Sequence, residues 1–156
     1  MRFLLFIAVV FALVSLEQNL AYAQVDITET RTLSFGQAIV TKNDTLYEAV
    51  VAPGGSTTSD PEFIFITPPV SGVYRLTGAT PFQIIDSVVI NVDQQMIGGG
   101  QQLNLDNFTF NFPPTVDGAG EATITAGGRM QTNGNGTPYD GPINLNAVME
   151  IVVTLL

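Results

Sequence analysis

The side chains in this sequence that could do chemistry are carboxylates and amides gathered at turns. Asp86 with Asp93, and Asp117 with Glu121, are the pairs that a glycoside hydrolase would use, and that chemistry needs two carboxyls held at a defined separation across a cleft. These residues flank turns, where acids ordinarily serve as solvated groups that bond their own backbone. No nucleophile set beside a base and no phosphate-binding loop accompanies them, so no residue is assigned a catalytic role and no enzyme is expected. Asp117-Gly118 and Asn133-Gly134-Asn135 offer oxygens of the kind calcium prefers. They lack the spaced acids of a calcium loop, and Asn-Gly is first of all a tight-turn signal, so no metal and no cofactor is expected. Gly98-Gly99-Gly100 and Gly118-Ala119-Gly120 lack the strand-to-helix setting and the lysine of a phosphate cradle, and read as links. Asn43-Asp44-Thr45, Asn107-Phe108-Thr109 and Asn135-Gly136-Thr137 match the glycosylation acceptor pattern, which is short enough to arise by chance. Phe108, Phe110 and Phe112 alternate at period two, and such a row packs inward as core more readily than it forms a stacking platform.

Composition narrows the function classes. The 156 residues carry a net charge of −9 with only 12% charged residues, and they include no histidine, cysteine or tryptophan. The commonest general base and zinc ligand are therefore missing, and no disulfide can form. A surface this acidic repels phosphate backbones, which argues against nucleic acid. Arg2, the twelve apolar residues Phe3 to Val14 and the small-x-small step Ala21-Tyr22-Ala23 read as a signal peptide, residues 1–23, cleaved before Gln24. Its apolar run is short for a permanent span, so no membrane insertion is expected after cleavage, and the protein is expected to be exported. Residues 24–156 then form a single domain, still at −9 with four basic and thirteen acidic residues.

The elements that must position these groups are strands. From Ile143 to Leu156 every odd position is apolar: Ile143, Leu145, Ala147, Met149, Ile151, Val153 and Leu155. That period of two predicts a strand, long enough to bend or switch sheets partway, and expected at the centre of the body. Upstream, Val25, Ile27, Leu33 and Phe35 share one parity with Glu29 and Arg31 between them, an edge strand or an extension. Candidate strands follow at Ala38–Val40, Leu46–Val51, Phe63–Thr67 and Val73–Thr77. Phe63–Thr67, apolar on both faces, is expected to be central and covered on two sides. Ser56–Pro61 reads as loop. Phe82, Ile84, Val88, Ile90 and Val92 share even parity, with Asp86 intruding as at a bulge. Leu103 and Leu105 are odd whereas Phe108, Phe110 and Phe112 are even, which places a register change at Asp106-Asn107. Ala122, Ile124 and Ala126 line the next strand before Gly127-Gly128, and Asn133 to Pro138 is the strongest hairpin signal. About eight or nine short strands without an amphipathic helix predict an all-β chain, an antiparallel β-sandwich. A small outer-membrane barrel would need longer strands than most of these.

With this order of segments, the chain resembles a family of exported bacterial β-proteins of uncharacterised function, broadly similar to the subunits of chaperone–usher pili. The resemblance lies in Leu33-Ser34-Phe35-Gly36, Gly72-Val73-Tyr74-Arg75-Leu76-Thr77-Gly78, Gly118 to Gly128, and Thr137-Pro138-Tyr139-Asp140-Gly141 before the closing strand. It implies an immunoglobulin-like sandwich used as a structural subunit of a surface fibre or pilus. Its partners would be copies of itself or related subunits, with a periplasmic chaperone and an outer-membrane usher. In such subunits a neighbour's N-terminal extension completes the sheet by strand addition. The candidate donor here is Gln24 to Phe35, with Val25, Ile27, Leu33 and Phe35 as the inserting side chains. Glu29 and Arg31 stand where a fully apolar donor would have hydrophobes, and the paired cysteines often seen in pilus subunits are absent. A first strand that pairs within its own domain would show the same alternation. A secreted, self-contained module that binds carbohydrate or a protein through its loops is the alternative reading.

Overall fold

The computed structural model describes residues 24–92, 96–98, 101–144 and 149–156. Residues 1–23, expected to be a signal segment, Asp93, and residues 145–148 of the closing run lie outside the described residues. The described chain is all-β and every strand pairing is antiparallel. The strands are β1 (Asp26–Arg31), β2 (Gln37–Val40), β3 (Glu48–Val51), β4 (Thr57–Ser59), β5 (Phe63–Thr67), β6 (Gly72–Thr77), β7 (Ile85–Val92), β8 (Met96–Gly98), β9 (Gln101–Asn111), β10 (Ala122–Gln131), β11 (Ile143–Asn144) and β12 (Met149–Leu155). Nine of them have four or more residues, and the other three are pairings of two or three residues too short to leave a periodic trace.

A seven-stranded sheet, a three-stranded sheet (β11-β2-β5) and a two-stranded sheet (β12-β7) turn their apolar rows toward one core, the arrangement of a β-sandwich. The centre is β10. One of its edges pairs with β6 through Ala122–Ala126 and then with β3 through Gly128–Gln131, while β9 runs along the other. The handover falls at Gly127-Gly128. A Cβ on Gly127 would collide with the Val51 carbonyl oxygen, and one on Gly128 would lie 2.9 Å from the Phe108 ring. Only glycine lets β3 and that ring approach so closely.

Bulges reconcile the parity conflicts in the sequence. Gly127 pairs with Thr109 but Arg129 pairs with Asp106, so one extra residue sits on β9 where Asn107 adopts φ +50°. Leu103 and Leu105 on one side of that bulge are buried, and Phe108, Phe110 and Phe112 on the other pack against the same core. In β7 the pairing with β12 skips Asp86, which is exposed, and the inward row becomes Ile85, Val88 and Ile90. Phe82 and Ile84 therefore fall outside that row and face solvent.

The N-terminal third forms one kinked ribbon. Residues 26–40 run antiparallel to residues 63–77 in nearly constant register, through β1 with β6, the Ser34–Val70 bridge, and β2 with β5. The ribbon passes from the large sheet to the three-stranded one at Leu33–Gly36, where Leu33 and Phe35 are wholly buried. Full burial of side chains this size stabilises by about 1.5–3 kcal/mol each.

Four expectations are corrected. The closing run is not central: among the described residues Ile143-Asn144 pairs with β2, whereas Met149–Leu155 pairs with β7 alone, so the segment does switch sheets, and the odd row of Met149–Leu155 is only half-buried. Phe63–Thr67 is an edge strand with Ile64 and Ile66 each 52% exposed, because no layer covers its outer face. Thr57–Ser59 is a short strand on β3 rather than loop. Asn133–Pro138 is not a hairpin, since β10 and β11 belong to different sheets. Gly134 and Gly136 do take positive φ, but the loop is wrapped around Asn43. The Asn43 amide nitrogen donates to Asn133 Oδ1 (2.7 Å), Asn135 Oδ1 (3.0 Å) and the Thr137 carbonyl (2.9 Å), and its side-chain oxygen accepts from the Gly134 N–H (2.9 Å). Asn43 as a whole is only 3% exposed, so its amide is closed to glycosylation in the folded chain. Because removing the amide takes four hydrogen bonds from this loop and leaves a buried gap at its centre, Asn43→Ala is expected to lower the unfolding free energy by about 2–4 kcal/mol, measured by urea titration.

Candidate functional site

The residues singled out as donor side chains separate into two groups. Val25 is exposed and Ile27 is half-buried on β1, whereas Leu33 and Phe35 lie in the core of their own chain. Ile27, Leu33 and Phe35 belong to the ribbon that pairs internally along residues 63–77, and Val25 immediately precedes it. Of β1's six residues only Ile27 is partly covered, so the strand is held by its main-chain ladder to β6 and by Arg31. Arg31 Nε donates to the Ser71 carbonyl (2.7 Å) and Nη2 to the Ser71 hydroxyl (2.8 Å).

The sheet edges differ in how they meet solvent. A protein avoids unwanted pairing by placing charges on its edge strands or by keeping them short. β1 carries Asp26, Glu29 and Arg31, β12 carries Glu150, and β4 has three residues. β5 has no charged residue between Phe63 and Thr67. Ile39 on β2 stands opposite Ile64 in register, and with Ile66 these side chains make an exposed apolar row beside β5's free edge. Phe63 and Phe65 fill the inward face, their rings stacked at 6.2 Å.

A second feature was not visible in the sequence. Between the 78–84 loop, the 113–121 loop and the outer face of β6 and β10 lies an open cleft of about 460 Å³. Register sets Arg75 opposite Thr123 on its floor. Arg75 Nη2 donates to Glu121 Oε2 at 2.6 Å, and that bond raises the guanidinium pKa further. Asp117 Oδ1 accepts from the Ala119 and Glu121 N–H groups at 2.8 and 2.9 Å, which shapes the turn at the rim. The two loops are laced by Phe82 N–H to the Asp117 carbonyl (3.3 Å), Val116 N–H to the Gln83 carbonyl (3.0 Å) and Ile85 N–H to the Pro114 carbonyl (3.0 Å). Phe82, 71% exposed, holds φ +63°, a conformation that disfavours any residue with a Cβ by roughly 1–2 kcal/mol. Its ring tip lies over Gly118.

Asp117 and Glu121, paired on the sequence, thus do reach one cleft, each with an oxygen committed to a local bond. Asp86 is exposed on the β7 bulge, away from these loops' lining residues, and Asp93 lies outside the described residues. Asn133 and Asn135 serve the Asn43 loop. Among the described residues, no group of three or more Asp, Glu, His or Cys side chains converges as metal ligands would, and no helix is long and apolar enough to cross a membrane. Compared with known proteins, the chain matches no family model, no curated protein and no solved structure.

The remaining charged cluster spans three strands. Arg129 on β10 donates through Nε and Nη2 to both Asp106 oxygens on β9, each at 2.8 Å, and through Nη1 to Glu48 Oε2 on β3 at 3.2 Å. The hydrogen bonds from Arg129 hold the Asp106 carboxyl below its ordinary 3.8, outweighing the opposing effect of its partial burial. A carboxyl lowered on folding contributes stability that is complete above its unfolded value and is lost as pH falls through the folded one. The difference in urea midpoint between wild type and Arg129→Gln is therefore expected to be constant above about pH 5 and to shrink steadily toward about pH 2. Added salt should narrow it at neutral pH, because the cluster is only partly buried and ions reach it.

Proposed function

We propose that this chain is a non-enzymatic, exported structural subunit of a bacterial surface fibre, joined to its neighbours by β-strand addition. The observation that carries this reading is the β5 edge. Among the described edge strands of four or more residues it is the one without a charge, and the apolar row of Ile39, Ile64 and Ile66 lies beside it. Main-chain groups along Phe63–Thr67 supply the hydrogen bonds of an added strand, and the isoleucines supply apolar area to bury with it. The accepted strand comes from another copy or a related subunit, and residues 24–31 are the candidate donor. Leu33 and Phe35 stay in their own core and anchor that segment to its parent domain. Export through the signal segment, a periplasmic chaperone to cover the edge before assembly, and an outer-membrane usher belong to the same reading.

A charge of −9 per copy opposes association at long range, so assembly is driven by short-range apolar contact and is helped by screening. Light scattering coupled to size exclusion is expected to show multimers of the purified protein that grow with concentration and with salt. Ile64→Lys with Ile66→Lys should return it to a monomer without lowering its melting temperature, since both side chains already face solvent. Deleting residues 24–31 should also abolish assembly if they are the donor. A wild-type protein that stays monomeric at every concentration, or a lysine variant that assembles like wild type, rejects the reading in favour of a self-contained binding module.

A further inference from the structure

We infer that the cleft between the 78–84 and 113–121 loops is a binding site for a neutral saccharide, with Phe82 as the stacking surface. The inference does not depend on how the chain assembles, because none of the cleft's lining residues belongs to β5 or to its apolar row.

Three observations converge. The first is Phe82 itself. It is the most exposed large apolar residue among those described, it is not part of the core or of the residues packed on it, and it occupies a backbone conformation that glycine or asparagine would fill with less strain. Strained residues persist where the surroundings hold them, and they cluster at sites that contact ligands. Here the surroundings are the Thr80–Gln83 turn, closed by Gln83 N–H to the Thr80 carbonyl (3.0 Å), and the bond from Phe82 N–H to Asp117. These fix the ring at the cleft mouth, over Gly118, where the nearest approach of any added Cβ would be 3.4 Å.

The second is the polar lining. Arg75 and Glu121 form a 2.6 Å pair at the floor, which presents donors and an acceptor side by side, and Thr115 and Thr123 add hydroxyls that both donate and accept. A pyranose offers a matching surface, with a C–H face for the ring and a rim of hydroxyls for the fork. A cleft of about 460 Å³ falls within the ~300–1,000 Å³ usual for small-molecule sites.

The third is what the cleft lacks. At Arg75 the floor strand β6 is already paired on both edges, with Thr28 of β1 and with Thr123 of β10, so no peptide can add to it as a strand. Asp117 and Glu121 against Arg75 leave the lining slightly acidic, and the whole chain stands at −9, which disfavours sulfated or uronic sugars.

The test is saturation-transfer difference NMR on the purified protein, which tolerates large assemblies, with cellohexaose, laminarihexaose, xylohexaose and mannohexaose as probes and a polygalacturonate fragment as the acidic arm. At least one neutral hexasaccharide should receive saturation, strongest at its ring C–H protons, and the acidic fragment should receive less. Phe82→Gly should weaken that binding at least tenfold while the protein melts at the same temperature or higher, because glycine relieves the strained backbone. Arg75→Gln should weaken it too, with Phe82 left in place. The inference is overturned if no neutral hexasaccharide binds, if the acidic fragment binds better, if Phe82→Gly binds as wild type does, or if that variant melts several degrees lower. The last result would make the ring a structural prop for the Gly118 turn.

Discussion

The two-sided pairing of β10 is the constraint on which the rest of this body depends. Bonded to β6 and then β3 along one edge and, from Thr125 onward, to β9 along the other, β10 sets each neighbour's position by its register. Its inward residues are Ala122, Ile124, Ala126 and Met130, and the small side chains near its middle leave room for the aromatics of β9 to approach. Gly127 and Gly128 then let one edge change partner from β6 to β3 without a break in the strand. Without a disulfide, this ladder and the core beneath it hold the layers together, helped by Arg129 bridging β9, β10 and β3 on the outside.

From that frame the N-terminal ribbon follows. Residues 26–40 turn the corner between two sheets at Leu33–Gly36, where Gly36 has φ +74° and a Cβ would collide with the Thr67 carbonyl. Burying Leu33 and Phe35 at that corner ties β1 and β2 to one point, although β1's own side chains are almost all exposed. Stability is thus unevenly spread along the segment, and a strand with few buried contacts is the kind that opens at low energy. The same topology puts β5 at the limit of its sheet, with its apolar outer row uncovered. Contact surfaces on this protein arise where the layers stop, and the cleft beside Phe82 arises where two loops are laced together over the β6–β10 floor.

Much of the fold could be read from the residues. The residues located the nine strands of four or more, most of them by alternation, because side chains two apart share a face, whatever packs on it. The bulge at Asn107 was legible for the same reason, since two rows of opposite parity cannot both face one core without an extra residue between them, and the one at Asp86 because a carboxylate interrupts an apolar row. The cleft was not legible. Arg75, Phe82, Asp117 and Thr123 come from four separated stretches, and each alone looks like an ordinary turn or strand residue. The one local signal was that Phe82, in a row assigned to the core, stood next to Pro81 in a turn-rich stretch.

What the sequence by itself determined was the nine longer strands, the antiparallel all-β class and most of the side chains that share each face. Tertiary structure alone decided that β10, not the closing run, is central, that Phe63–Thr67 is an edge, and that Asn133–Pro138 folds around Asn43 instead of forming a hairpin. The physical reason is that period is a property of one strand, whereas burial and edge exposure depend on which distant segments lie against it. An isoleucine carries the same hydrophobicity on a covered face and on a bare one.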